Sequence, residues 1–190
     1  MAKVKLNPVL EQIRGQIGDL VFKRYNDDVI VARKPDMEGV TPTPAQLANR
    51  ERFRQAAIYG RLVMADAEKR VIYEDAAKKR GKPVFAMMVG DFFNTPEISE
   101  VDLAGYTGQV GDPIVVMAHD DFEVTGVQLS LTDAEGQVLE HGAAVEAPAK
   151  SGRWVYTTTV PNDPGALVHI SVEVSDLPGG KGVQSVDKTL

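Results

Sequence analysis

Residues that could carry out acid–base or metal chemistry are few in this sequence. It contains three histidines, His119, His141 and His169, and no cysteine. No two histidines have the spacing that would place two metal ligands on one helix face. Without cysteine there can be no disulfide bond, thiolate zinc site or cysteine nucleophile. These residues predict no metal site.

Two motifs of enzymes are also missing, one for acyl transfer and one for phosphate binding. A Gly-x-Ser-x-Gly nucleophile elbow does not occur. The run from Pro178 to Gly182 is rich in glycine around Lys181, but it lacks the upstream glycine and the following Ser or Thr of a phosphate-binding loop. A tight turn explains this run better. We therefore predict no catalytic residue and no cofactor site, and we expect that the protein is not an enzyme.

Three aspartates suggest one candidate cation site. Asp120, Asp121 and Asp176 could gather at one end of a sheet structure, and Ca²⁺ prefers carboxylate oxygens. Aspartates in turns also accept hydrogen bonds from local backbone N–H groups, and that interpretation is the favoured one. The sequence leaves calcium binding open.

Basic residues cluster in the predicted helices. They are Arg50, Arg52, Arg54, Arg61, Lys78, Lys79 and Arg80. Such a cluster could contact phosphates, but acidic residues interleave with it and the pI of the chain is near 5.1. Nucleic acid is therefore not the expected partner.

Charge is unevenly divided along the chain. Residues 1–96 hold 17 Lys and Arg against 12 Asp and Glu, a balance of +5, whereas residues 97–190 hold 4 against 15, a balance of -11. An asymmetry of this kind indicates either two modules with separate surface chemistry or surfaces that meet different partners. A head-to-tail contact between copies would place opposite charges together.

The N-terminal half predicts a β-hairpin followed by about three helices. Residues 20–25 and 29–33 have strand composition and flank an Asn-Asp-Asp turn. Thr43 and Pro44 predict the start of a helix that runs to about Ala65. Asp66 and Gly81 are suited to cap a second helix, and Pro83 opens a third.

The first of these helices has two apolar sides. Leu47, Ile58 and Leu62 lie on one side, and Phe53, Ala57, Gly60 and Met64 lie on nearly the opposite one. This pattern predicts a helix buried between two partners. In the third helix, the expected buried stripe is Phe85, Met88, Val89 and Phe92.

After Thr95-Pro96 the pattern changes to short alternating strands. Val168, Ile170, Val172 and Val174 alternate with polar residues, which is typical of a strand with one buried face. About seven such strands predict an antiparallel β-sandwich. Trp154 is expected in its core.

Four segments of this region resemble bacterial immunoglobulin-like modules. They are the acidic turn at 118–124, the Asp-Ala-Glu-Gly turn within 131–136, the Trp-x-Tyr strand at 152–156, and Val174-Ser175-Asp176. The resemblance covers residues 97–190 and implies an immunoglobulin-like sandwich without any activity. Segments 15–21 and 43–50 are similar to hypothetical bacterial proteins of unknown function.

The sequence thus predicts an α+β protein with a hairpin-helical domain, 1–96, and an immunoglobulin-like β-sandwich domain, 97–190. We expect a structural or adhesive protein that self-assembles, as a homo-oligomer, a surface filament or a phage-like particle, because an isolated hairpin is marginally stable and needs a partner. The expected assembly residues are Phe22, Tyr25, Val29, Val31, Arg50 and Arg54.

The alternative function is a monomeric module that binds a carbohydrate or protein ligand through the sandwich. No apolar run is long enough to span a membrane. The N-terminus lacks the apolar segment of a secretory signal peptide, which predicts a cytoplasmic protein or one released by another route.

Overall fold

The computed structural model describes residues 2–4, 14–25, 28–36, 38–39 and 41–190. The chain forms two compact units, Met1–Gln46 and Leu47–Leu190. Apart from the first three residues of the first helix, all three helices therefore belong to the same unit as the C-terminal strands. No helix in the described part of the chain has the length and apolarity needed to cross a bilayer.

The N-terminal unit is built on one antiparallel sheet. Its strands are β1 (Ala2–Val4), β2 (Gly15–Ile17), β3 (Leu20–Tyr25) and β4 (Asp28–Arg33), in the order β1-β4-β3-β2. The predicted hairpin is present as β3 and β4, whose Leu20 and Arg33 ends are paired. Two further short strands pair with the hairpin and were not predicted, because three residues are too few to show an alternating pattern.

The helical layer consists of α1 (Pro44–Ala65), α2 (Ala67–Arg80) and α3 (Val84–Phe93). Thr43 and Gln46 form a reciprocal cap at the start of α1: the Gln46 backbone N–H donates to Thr43 Oγ1 at 3.3 Å, and the Thr43 N–H donates to Gln46 Oε1 at 3.0 Å. Asp66 accepts from two backbone N–H groups at the start of α2, and Gly81 ends that helix with a left-handed φ of 61°. These predicted caps are confirmed.

The helices pack around a small core of their own. Its buried members are Val63, Tyr73, Ala77, Met87 and Met88. In α3 the buried residues are Met87, Met88 and Asp91. Phe85 is 41% exposed, so the prediction that it belongs to the buried stripe was wrong. Because α3 is apolar around most of its circumference, spacing alone could not identify its buried face.

The remaining residues form two antiparallel sheets with eight strands. These strands are β5 (Glu97–Asp102), β6 (Pro113–His119), β7 (Val124–Thr132), β8 (Val138–Ala143), β9 (Val145–Glu146), β10 (Arg153–Thr157), β11 (Leu167–Asp176) and β12 (Lys181–Thr189). One sheet has the order β5-β6-β10-β9 and the other β12-β11-β7-β8. The apolar pattern of residues 138–145 is that of one strand, but the chain divides it, since β8 and β9 belong to different sheets.

A single core lies between these sheets. Val116 and Trp154 contribute from the first sheet, and Leu129 and Ile170 from the second. The inward side chains predicted for β11 are all fully buried, and Trp154 is 8% exposed, so both predictions are confirmed. The protein is therefore a mixed α+β protein whose C-terminal part is mainly β. Independent folding of residues 97–190 remains a prediction.

Candidate functional site

The apolar residues of the predicted assembly surface contribute to the N-terminal sheet itself. Val29 is 5% exposed, whereas Phe22 and Val31 are half-buried and face each other across β3 and β4. The side chain of Tyr25 lies outside the described residues. Val29 is therefore already buried within the chain and is not free for a partner.

The edges of the hairpin are also largely occupied. Residues Leu20–Phe22 pair with β2, and Val29–Val31 pair with β1. A neighbouring strand cannot add to β3 or β4 along those residues, because their backbone groups are already hydrogen-bonded within the sheet. Pairing of the hairpin with a strand of another chain is therefore not open over these positions.

The two predicted arginines lie exposed on α1. Arg54 forms a two-pronged contact with Glu51, with Nη2 to Oε1 at 2.6 Å and Nε to Oε2 at 2.9 Å. This contact raises the pKa of Arg54 and lowers the pKa of Glu51, mainly through the hydrogen bonds. Part of the charge of Arg54 is thus offset, while Arg50 is exposed one turn earlier.

Leu47, Ile58 and Leu62 form an apolar stripe that we call the outer face of α1. Their exposed fractions are 53%, 41% and 65%. The side of the helix that carries the buried residues Ala56, Gly60 and Val63 points away from this stripe, as a helical turn of ~3.6 residues requires. The prediction of two buried sides was wrong, because Phe53 and Met64 on the other predicted side are also exposed, at 54% and 43%, and only Gly60 of that set is buried.

The helices contact the sheets through the loop formed by residues 120–123. The ring of Tyr73 lies 4.8 Å from that of Phe122, and the Arg80 guanidinium lies 5.2 Å from the same ring. Arg80 Nη2 also donates to the Asp121 carbonyl oxygen at 2.9 Å, and the Asn94 amide donates to the Asp121 carboxylate. Basic and polar helix residues therefore meet the acidic loop within one chain.

A buried acidic group lies beside this contact. Asp91 is fully buried on α3 and accepts a hydrogen bond from the Tyr73 hydroxyl, which is 2.7 Å from the Tyr59 hydroxyl. Burial raises the pKa of Asp91 to about 7, and the negative charges of Asp120, Asp176 and Asp121 act in the same direction. Its Oδ1 atom has no hydrogen-bond partner among the described residues.

The aspartates proposed from the sequence do lie near this group. Asp120 and Asp176 interact electrostatically, and burial together with Asp120 raises the pKa of Asp176. Both also bond local backbone, because Asp120 accepts from Phe122 N–H at 3.1 Å and Asp176 from Gly180 N–H at 2.5 Å. No set of three acidic, histidine or cysteine side chains in the described residues is arranged to hold a metal ion.

Asp91 escaped the sequence analysis, although a signal was present. It follows Met87 and Met88 at helical spacings of four and three residues, so an apolar stripe through those methionines includes position 91. An aspartate inside such a stripe is expected to be buried and hydrogen-bonded.

The histidines are distributed over separate surfaces. His169 Nδ1 lies 2.6 Å from Asp187 Oδ1 on the neighbouring strand, and His119 Nε2 lies 3.6 Å from Glu97 Oε2. His141 lies beside Ser130, Ser171 and Glu173 in an open groove of about 610 Å³ on the outer face of β7, β8 and β11. A second groove of about 410 Å³ lies beside His119, Asp120 and Asp121.

Comparisons with known proteins identify no family. No family model matches the chain, and no curated protein matches it. Two solved structures share a similar region. CopC from Methylosinus trichosporium OB3b has 11% identity and a TM-score of 0.38, over 50% of this chain and 91% of that one. A conjugative transposon lipoprotein from Bacteroides eggerthii DSM 20697 has 17% identity and a TM-score of 0.26, over 48% and 92%. Similarities at this level assign neither function nor ligand.

Proposed function

We propose that this protein is a non-enzymatic structural subunit that assembles with copies of itself, and that the outer face of α1 forms the contact. The observation that carries the proposal is the exposed apolar stripe of Leu47, Ile58 and Leu62 on a helix whose other side is already packed. Apolar stripes of this kind are typical of protein–protein contacts. The self-assembly expected from the sequence is thereby retained, while its surface moves from the hairpin to the helix.

The expected occupant is the acidic sheet region of a second copy. Arg50, Arg54 and Arg61 flank the outer face of α1 on one side, and residues 97–190 carry a net charge of -11. Opposite charges at the rim orient the encounter and accelerate it, whereas apolar burial supplies most of the affinity. Because helix and sheet are different surfaces, the contact is head-to-tail and continues into rings or filaments.

The size of the surface also favours an extended contact. A helix of 22 residues is ~33 Å long, and a stable interface typically buries ~1,600 Å² in total. Three half-exposed side chains alone do not reach that area, so the contact must follow the length of α1.

We also infer that the C-terminal sheets have an immunoglobulin-like topology. If β5 to β12 are taken as strands A, B, C, C′, D, E, F and G, the two sheets read A-B-E-D and G-F-C-C′. This order supports the class suggested by the sequence motifs. The chain departs from antibody domains in two ways: it has no cysteine pair, and its core tryptophan lies on β10, the E-type strand.

Light scattering on size-exclusion fractions tests the assembly. We expect the wild-type chain to form oligomers, Ile58→Glu combined with Leu62→Glu to remain monomeric, and Val71→Glu to assemble normally. Val71 is the matched control because it is a 52% exposed apolar residue on α2, outside both α1 and the sheet region. Equal assembly of all three proteins would reject the outer face of α1 as the interface.

The alternative is a monomeric binding module. The groove beside His141, Ser130 and Ser171 offers polar side chains on an exposed sheet face, which suits a carbohydrate or protein ligand. A wild-type chain that stays monomeric at high concentration would favour this function over assembly.

A further inference from the structure

Asp91 occupies a position that disfavours a negative charge. Its side chain is fully buried, next to Met87 and Met88, where the helices meet the sheets. An ionised carboxylate in such surroundings is costly unless hydrogen bonds or a cation compensate it. The contacts of Asp91 therefore decide which protonation state the folded protein prefers.

These contacts compensate only one of the two carboxylate oxygens. Oδ2 accepts from Tyr73, whose hydroxyl is in turn bonded to that of Tyr59, while Oδ1 has no partner among the described residues. A neutral carboxylic acid needs less compensation than a carboxylate.

The charged groups that act on Asp91 are also unfavourable. They are Asp120, Asp121 and Asp176, from the loop after β6 and from the end of β11. Arg80 is a cation at this contact, but it bonds the Asp121 carbonyl oxygen and lies over the Phe122 ring. Ionised Asp91 therefore faces three like charges contributed by the sheet region.

We propose that Asp91 is a proton-operated latch between the helical layer and the C-terminal sheets. With its proton bound, α2 and α3 pack against the loop at residues 120–123. Loss of the proton places a charge opposite Asp120, Asp121 and Asp176 and loosens that contact. The latch is independent of the proposed self-assembly.

The pH range of the latch follows from linkage between the two states. Asp91 titrates at about 7 in the packed state, for the reasons given above. In a loosened state the solvated carboxyl would titrate near ~4, its ordinary range. Loosening should then increase by about tenfold per pH unit between ~4 and ~7 and level off above that range.

Hydrogen exchange on the full chain measures this directly. Between pH 5 and pH 8, protection factors of α2 and α3 should fall on the order of 80-fold in the wild type. Asp91→Asn, which cannot ionise, should remove the pH dependence. Asp75→Asn, an exposed position on α2, should behave as the wild type.

A second measurement covers the case in which Asp91→Asn does not fold. The carboxyl carbon of Asp91 in the wild type, followed by NMR, should titrate near pH 7. Titration near its ordinary value, or wild-type protection that does not change with pH, would overturn the proposal. So would Ca²⁺ restoring protection at pH 8 in the wild type, because a cation rather than a proton would then control the contact.

Discussion

The hydroxyl of Tyr73 on α2 donates a hydrogen bond to the carboxylate of Asp91 on α3, and both residues are fully buried. The same tyrosine ring packs against Phe122 in a loop between two strands. The pair therefore connects two helices to the sheets. Arg80 from the basic half of the sequence and Asp121 from the acidic half also meet here, within one chain.

Global stability should decrease with increasing pH over the range set by Asp91. The pKa of this group rises from 3.8 in the unfolded chain to about 7 in the folded protein. Its protonated form therefore contributes stability that is complete below pH ~4 and is lost as pH rises to ~7. Urea unfolding of the wild type and of Asp91→Asn at several pH values checks this. A wild-type stability that rises from pH 5 to 7 by as much as that of Asp91→Asn would contradict it.

Two other acidic groups have the opposite effect. Backbone hydrogen bonds from Thr107 and Gln109 lower the pKa of Asp112, and those from Lys150 and Gly152 lower the pKa of Glu146. The ionised forms of Asp112 and Glu146 therefore stabilise the folded protein at neutral pH. This stabilisation is lost as pH falls below the ordinary carboxyl range. Asp112→Asn should therefore reduce the loss of stability upon acidification below pH ~4.

Replacing Trp154 should be costly because it fills the core between the sheets. Trp154→Ala should lower the free energy of unfolding by ~3–5 kcal/mol. Trp154→Phe should cost less than half as much, because the buried indole nitrogen has no hydrogen-bond partner among the described residues. Chemical unfolding followed by circular dichroism compares them. A loss below ~1 kcal/mol for the alanine variant would show that this side chain is not in the core.

Gly142 should not tolerate a side chain. A Cβ atom at this position would lie 2.9 Å from the Tyr156 ring, whose hydroxyl is bonded to buried Glu140. Gly142→Ala should therefore destabilise the protein by ~1–3 kcal/mol. Gly90→Ala is the control, since a Cβ at that position would have no described atom within 4 Å. Because Gly90 lies in a helix, this substitution should be neutral or stabilising by up to ~1 kcal/mol. Equal melting temperatures for the two variants would contradict the packing described for Gly142.

The fragment 97–190 should fold alone. The whole core between the two sheets comes from residues after 97, so the fragment retains it. Loss of the helices exposes Phe122 and Leu177, which pack against the helical core, and the fragment should melt at a lower temperature than the full chain. A thermal scan without a cooperative transition would show that the sheets depend on the helices.

The helices and most strands could be predicted from sequence because their signals are local. Asp66 and Gly81 cap α2 as side-chain and backbone chemistry requires. Strand β5 was missed because its apolar residues, Ile98 and Val101, fall out of alternation across a register shift. The division between β8 and β9 was missed because a change of sheet at Ala144 leaves no mark in the hydrophobic pattern.

The candidate sites depend on long-range packing and were harder to predict. Asp120 and Asp176 were identified from composition, but Asp91 comes from a different element, and only the fold brings the three into one electrostatic group. For the same reason, Val29 was assigned to a surface although it lies on a central strand, paired with β1 and β3, and is 5% exposed. Residue type indicated apolar contact at Val29 without indicating which partner would provide it.

Sedimentation velocity on the wild-type chain tests the proposed self-assembly most directly. Over a roughly hundredfold range of concentration, the sedimentation coefficient should increase, as mass action requires. Moderate salt should weaken the increase, because it screens the basic rim of α1 from acidic residues of the next copy. A coefficient that corresponds to the monomer at every concentration, at both low and moderate salt, would contradict self-assembly.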